Sequence, residues 1–348
     1  MTSADDLVVL RPQGLYCPAG DFHIDPWRPV DRAVITHAHA DHARAGHAAY
    51  LAAAPAAAVM RVRLGAGIAL QTLRYGERLR LGEVDVSLHP AGHVLGSAQV
   101  RIEHRGRIWV ASGDYFTSGI AGDANPSCAP FEPQRCDVFI TESTFGLPIY
   151  RWRAQADVIG DVNRWWQANA EAGRPSLLLA YSLGKAQRLI AAVDASIGPI
   201  VVHGAVAPLN EAYRAGGVPL PHTPTLDELG DKAALRRALV IAPPSVHGSA
   251  WARRLGDFSD AFASGWMQLR GARRRQGVDR GFVLSDHADW PGLQAAIAAT
   301  GASRVIVTHG QEAVMVRWLR EQGLDAGSFR TEYGDERLEE PAAAATST

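Results

Sequence analysis

Within six residues, His37-Ala38-His39-Ala40-Asp41-His42, this chain places four side chains of metal-ligating type. An apolar run, Ala33-Val34-Ile35-Thr36, comes directly before them and reads as the end of a buried strand. The ligands therefore sit on a loop leaving a sheet, where functional side chains concentrate. The His37/His39 pair can close on one ion, while Asp41 and His42 are free to face a second. Imidazole with carboxylate suits zinc, manganese or iron rather than calcium or copper. A polar helix entry with incidental histidines would not collect so many ligand types, so the stretch is read as a metal site.

Further ligands must then arrive at the same sheet edge, and the rest of the chain has that rhythm. Leu7–Leu10, Phe22–Ile24 and Ala33–Ile35 are predicted strands, punctuated by Pro18, Gly20, Pro26 and Pro29. Asp25 ends the second of them, near the cluster if neighbouring strands pair. Ala-rich Asp41–Ala54 predicts a helix that starts inside the ligand motif. Leu79–Leu81 and Val84–Leu88 read as a hairpin leading to His93, which is flanked by Gly92 and Gly96. The strand Ile108–Ala111 leads to Asp114, and Val138–Thr141 leads to Glu142. The texture then changes to strands alternating with helices, beginning with an amphipathic helix over Arg151–Ala172. It continues through strands at Ser176–Ala180, Ile200–His203 and Leu239–Ala242, the pattern of a small α/β unit. Arg280–Leu284 and Arg304–Val307 return to the first texture, ending near His287 and His309. The expected organisation is a metal-binding domain over 1–147 and 280–340, an inserted α/β domain over 148–279, and a disordered tail over 341–348.

Composition narrows the function classes. The formal net charge is −1, so no global field points to nucleic acid, and such evidence has to be local. Cys17, Cys128 and Cys136 are odd in number and lack C-x-x-C spacing, which argues against a disulfide framework or a zinc ribbon. The N-terminus carries Asp5 and Asp6 rather than a basic segment and an apolar core. There is also no run of about 18 apolar residues to span a membrane. A cytoplasmic location without membrane association is the expectation.

The ligand set His37, His39, Asp41, His42, His93, Asp114 and His309 resembles that of the metallo-β-lactamase superfamily. That resemblance implies an α/β fold, a four-layer αββα sandwich with a one- or two-metal site at its edge. Glu142 in TESTFG, His287 in SDHAD and His309 in THG resemble motifs A, B and C of the β-CASP branch, which cuts nucleic acids and carries a smaller inserted α/β domain. The segments YCPAGDFHIDPWRPVDRAVITHAHADH and GWMQLRGARRRQGVDRGFVLSDHADW resemble the bacterial ligase-associated DNA-damage-response exonucleases. Histidine at motif C departs from the DNA cross-link repair nucleases and keeps an RNA-processing ribonuclease as the alternative. A small-molecule ester or lactone hydrolase using the same ligands is a more distant one.

The resemblance implies two divalent ions, zinc with manganese as the alternative. His37, His39, His93 and Asp114 would hold the first. Asp41, His42, Asp114 and His309 would hold the second, with Asp114 bridging and a shared hydroxide attacking the phosphodiester. Asp25 would orient a ligand histidine. Asp41, Glu142 and His287 are the catalytic candidates, with His287 protonating the leaving oxygen or touching the scissile phosphate and Glu142 fixing an active-site histidine. The expected substrate is DNA, single-stranded or with a free end, digested from the 5′ end. A DNA ligase and a helicase are the expected functional associates. Nucleic-acid contact is expected at Arg270, Arg273, Arg274 and Arg275, a basic run just before SDHAD. Ser182 and Lys185 open a predicted helix where a phosphate could meet backbone N–H groups, and His247 would line the same cleft.

Overall fold

A computed structural model of the protein describes residues 6–117, 125–269, 271 and 277–333. The chain divides into two compact units: one takes it through Arg151 and again from His287, the other takes Trp152–Asp286.

The first unit holds two sheets. One runs in chain order through β1 (Val9–Arg11), β2 (Gly14–Cys17), β3 (Phe22–Ile24), β4 (Arg32–Val34), β5 (Ala49–Ala53) and β6 (Leu70–Leu73). The other contains β7 (Arg78–Leu81), β8 (Val84–Pro90), β9 (Ala98–His104), β10 (Arg107–Ala111), β11 (Val138–Ser143), β17 (Arg304–Gly310) and β18 (Asp325–Ser328), in the order β18-β17-β11-β10-β9-β8-β7. Side chains alternate across a strand, and here that alternation makes two cores. Val86, Leu88, Ile102, Trp109, Ile140 and Ile306 join Ile24, Val34 and Leu51 of the first sheet in one cluster. Val110, Phe139, Val305 and Val307 point the other way, against Leu293 and Ile297 of the helix Trp290–Thr300 and Met315 and Leu319 of the helix Glu312–Glu321. Strands buried on both faces must be apolar throughout, which is why β11 begins Val-Phe-Ile and β17 carries Val-Ile-Val. Each such fully buried side chain contributes roughly 1.5–3 kcal/mol.

The second unit is built on one parallel sheet of β12 (Ser176–Leu179), β13 (Ile200–Val202), β14 (Leu239–Ala242), β15 (Ser259–Ala263) and β16 (Arg280–Phe282), ordered β13-β14-β12-β15-β16. The helix Gln155–Glu171 is anchored through its tryptophans, Trp165 Nε1 donating to Ser259 Oγ at 3.1 Å and Trp166 Nε1 to the Arg237 carbonyl at 2.9 Å.

Two local expectations are corrected. Asp41–Ala54 is not a helix: after a turn in which Ala43 N–H donates to the His39 carbonyl at 2.7 Å, the chain bends at Gly46 and enters β5. Pairing of Ala49–Ala53 between β4 and β6 outweighs the alanine preference for helix, which is only a fraction of a kcal/mol per residue. Arg280–Phe282 does not return to the first unit but pairs with β15, so the division falls at Asp286/His287 rather than at residue 280. The tail over 341–348 lies outside the described residues. Among the described residues, no helix is long and apolar enough to cross a membrane.

Candidate metal centre

β10, β11 and β17 are parallel neighbours, so their C-terminal ends share one edge of the sheet and deliver Asp114, Glu142 and His309 there. β8 runs in the same sense, being antiparallel to β9 as β9 is to β10, and its end leads to His93. β4 of the other sheet supplies the His37–His42 loop, tied in where Ala98 N–H donates to the Thr36 carbonyl at 2.8 Å. Two glycines make this convergence fit. Gly113 has φ +56, and a Cβ there would lie 2.5 Å from the Thr36 side chain. Gly310 has φ +96, and a Cβ there would lie 2.4 Å from the Ser143 backbone, while the Ser143 side-chain hydroxyl donates to the His309 carbonyl at 2.8 Å.

The ligand-type atoms fall into two groups that share Asp114. In the first, His39 Nδ1 lies 3.1 Å from His37 Nε2 and 3.0 Å from His93 Nε2, while Asp114 Oδ2 is 3.5 Å from His37 Nε2. In the second, His42 Nε2 lies 3.5 Å from Asp114 Oδ2, and His309 Nε2 lies 3.1 Å from Asp114 Oδ1. The Asp41 carboxylate stands 3.6 Å from His42 Nε2. All of these side chains are buried or nearly so, except that Asp41 is about a quarter exposed.

The outer ring nitrogens decide which inner ones carry lone pairs. A carboxylate can only accept, so Nδ1–H of His42 donates to Asp25 Oδ2 at 2.7 Å and leaves Nε2 for the site. Thr36 Oγ1 donates to the same Asp25 oxygen at 2.5 Å and accepts from Nδ1–H of His37 at 3.1 Å, so His37 also turns Nε2 inward. Asp25, buried at φ +42 and receiving Thr36 N–H at 2.7 Å, thus aims one histidine of each group. Thr36 was not singled out from the sequence, although its hydroxyl directly precedes the cluster.

The donor set fits divalent ions on its own geometry. His39 Nδ1 stands about 3 Å from both His37 Nε2 and His93 Nε2, a spacing that a shared ion would fit. Zn–N bonds of 2.0–2.1 Å in a tetrahedral site separate ligands by about 3.3 Å. His42 Nε2 is buried with no hydrogen-bond partner and faces the carboxylates of the second group, 3.5 Å from Asp114 Oδ2. Protonation follows the same division. Burial, reinforced by the neighbouring His42, holds His37 well below the usual histidine range. Burial opposes charge on His42 too, but the Asp114 and Asp41 carboxylates override it and hold that ring well above its usual value. His309 is raised by Asp114 against its own burial, and Asp114 is held well below the carboxylate range by His42 and His309 despite burial.

Beside the ligands lies a third pairing. Glu142 accepts from Tyr115 N–H at 2.8 Å and from Thr144 Oγ1 at 2.5 Å, and its two oxygens meet His287 Nδ1 at 3.0 and 2.9 Å. Nδ1 therefore carries the proton, and the His287 ring lies against that of His93 with centroids 4.6 Å apart.

The positions expected to contact nucleic acid are in the other unit. Ser182 gives its carbonyl to Gln187 Nε2 at 3.0 Å. Lys185 opens the helix Lys185–Ala192, but its ammonium is buried, 3.7 Å from Asp286 Oδ2 and over the Tyr181 ring at 4.6 Å. His247 Nε2 meets Asp260 Oδ2 at 3.1 Å. Arg270, Arg273, Arg274 and Arg275 lie outside the described residues.

Fold and site together define an α/β protein with two joined His/Asp groups fit for divalent metal. No family model matches the chain. It is 34% identical over 319 residues to a probable DNA ligase of Opitutus terrae, covering 90% of this chain but 30% of that protein. It is 29% identical over 125 residues to the endoribonuclease YSH1 of Kluyveromyces lactis (36% of this chain, 16% of that protein). It is 31% identical over 151 residues to the ribonuclease TTHA0252 of Thermus thermophilus (36% of this chain, 34% of that protein). The chain thus spans about a third or less of the length of these curated relatives. Among solved structures, a protein of unknown function from Enterococcus faecalis V583 shares the fold, with TM-score 0.56 and 13% identity over 87% of this chain and 80% of that one.

Proposed function

We propose that this protein is a metal-dependent nuclease of the metallo-β-lactamase type with a β-CASP insertion, and that it degrades DNA from a free, 5′ end in repair. The observation that carries the reading is Asp114 shared between two ligand groups, with the Glu142–His287 pair alongside. His37, His39, His93 and Asp114 would hold one divalent ion, and His42, Asp41, Asp114 and His309 the other, with zinc the first choice and manganese the second. Ions so placed supply a water of lowered pKa and neutralise charge on the attacking and leaving oxygens of a phosphodiester. Asp25 holds His37 and His42 in the tautomers that ligate. Glu142 orients His287 by accepting from its Nδ1–H, and that ring is assigned the proton given to the leaving oxygen. In the second unit, the ammonium of Lys185 is already paired with Asp286. We therefore assign phosphate contact chiefly to Arg270, Arg273, Arg274 and Arg275, with Ser182 and His247 as lesser candidates.

The 90% overlap with a probable DNA ligase favours DNA as the polymer and a DNA ligase as the working partner. The relatives named ribonucleases favour RNA, over about a third of this chain. Purified protein loaded with zinc or manganese should shorten 5′-labelled single-stranded DNA and release the label early, and a chelator should stop it. Degradation of matched RNA alone would replace the DNA reading. Ester cleavage without action on either polymer would replace both.

A further inference from the structure

The chain beyond β18 comes back to the ligand cluster, where Tyr333 lies flat on His42. Their ring centroids are 4.3 Å apart at an interplanar angle of 19°. The same ring meets His309 edge-on at 5.6 Å and 88°, so one side chain touches both histidines of the second ligand group. It is held in turn. Trp27 packs against it at 5.6 Å and 80°, and its hydroxyl donates to the Ile24 carbonyl at 3.4 Å. The neighbouring Glu332 is clamped by Arg28 through its carboxylate at 3.1 Å and by Arg44 through its carbonyl at 3.2 Å. The hydrogen bond to Asp25 pins one vertex of the His42 imidazole, and the His37 ring meets it 4.2 Å away at 43°, an oblique contact that leaves the tilt of the ring to be fixed by a further one. A stacked aromatic face removes the tilt.

We propose that Tyr333 is a positioning residue for the second metal: it sets the ring planes of His42 and His309 so that both Nε2 atoms converge with Asp114 on one ion. This rests on the metal-site part of the reading above and not on the substrate. Its action is selective, because among the described residues the Tyr333 ring meets the rings of His42, His309 and Trp27, and so the second ligand group rather than the first. Selectivity distinguishes it from Asp25, which serves both groups.

The test is metal content and affinity, read by elemental analysis and by titration against a chelator of known affinity. Tyr333→Leu keeps apolar bulk but removes the flat face. It should bind the first ion as the parent does and the second about 10- to 100-fold more weakly, the usual cost of losing an outer contact to a ligand. Tyr333→Phe restores the face without the hydroxyl and should recover both ions. Should Tyr333→Leu fail to fold, Tyr333→Met makes the same measurement with the same expected loss. Two ions bound with unchanged affinity in the Leu or Met variant would overturn the inference. So would equal weakening of both ions, failure of Phe to rescue, or a parent protein that binds fewer than two. A parent that binds two ions yet cuts no nucleic acid would overturn the nuclease reading and leave this one standing.

Discussion

The two ligand groups share an aspartate and differ in how they are made. The first gathers His37, His39 and His93, whose inward nitrogens sit close together, with His37 held neutral by burial. The second sets His42 against His309, and nearby carboxylates raise both rings above the usual range. Without metal, the first group contains a neutral His37 and the second is an ion pair that prefers a proton. Metal must displace that proton, since a ligating imidazole is neutral. The second site should therefore be the weaker and the more dependent on its surroundings, which is where Tyr333 and Asp41 stand.

Removing the shared residue should break the comparison outright. Asp114→Ala should lose both ions by elemental analysis and abolish phosphodiester hydrolysis, with a chelator having nothing left to inhibit. Next in size, His287→Ala should keep both ions and lower turnover by about 10²–10⁴-fold, the range for losing a general acid. Loss of metal in that variant would place His287 among the ligands instead. His309→Ala should empty the second site while the first stays filled, and equal loss from both would show that the groups do not act separately. Asp25→Asn should weaken both ions by about 10- to 100-fold, because the hydrogen bonds to His42 and Thr36 serve one histidine in each group. The gentlest measurement is pH. Raised His42 and His309 hold their protons to higher pH than a neutral His37 does, so occupancy of the second site should fall first as pH is lowered. Metal content followed from neutral to mildly acidic pH should show two steps, and a single step would remove the distinction.

Legibility followed sequence distance. The run His37–His42 declared its chemistry within one loop. His93, Asp114 and His309 were legible as candidates because each follows or ends an apolar strand, and parallel neighbours must end at one edge. Asp41–Ala54 was misread because alanine favours a helix locally, whereas pairing of Ala49–Ala53 with strands on both sides is a non-local gain. Arg280–Phe282 looked like a return to the first unit because a short apolar strand carries no record of which sheet it joins. Thr36 and Tyr333 carry no motif; their roles come from the ring or oxygen that each one meets.

By itself, the sequence determined which atoms can ligate and which strands must be buried on both faces, since side-chain chemistry and two-residue periodicity are local properties. Only the tertiary structure decided the grouping. The sharing of Asp114, the aiming of two histidines by one Asp25, and the ring laid on His42 depend on a few tenths of an ångström between residues far apart in the chain. Those distances are set by packing, as at the close approaches of Gly113 and Gly310, and packing belongs to the whole fold rather than to any segment of it.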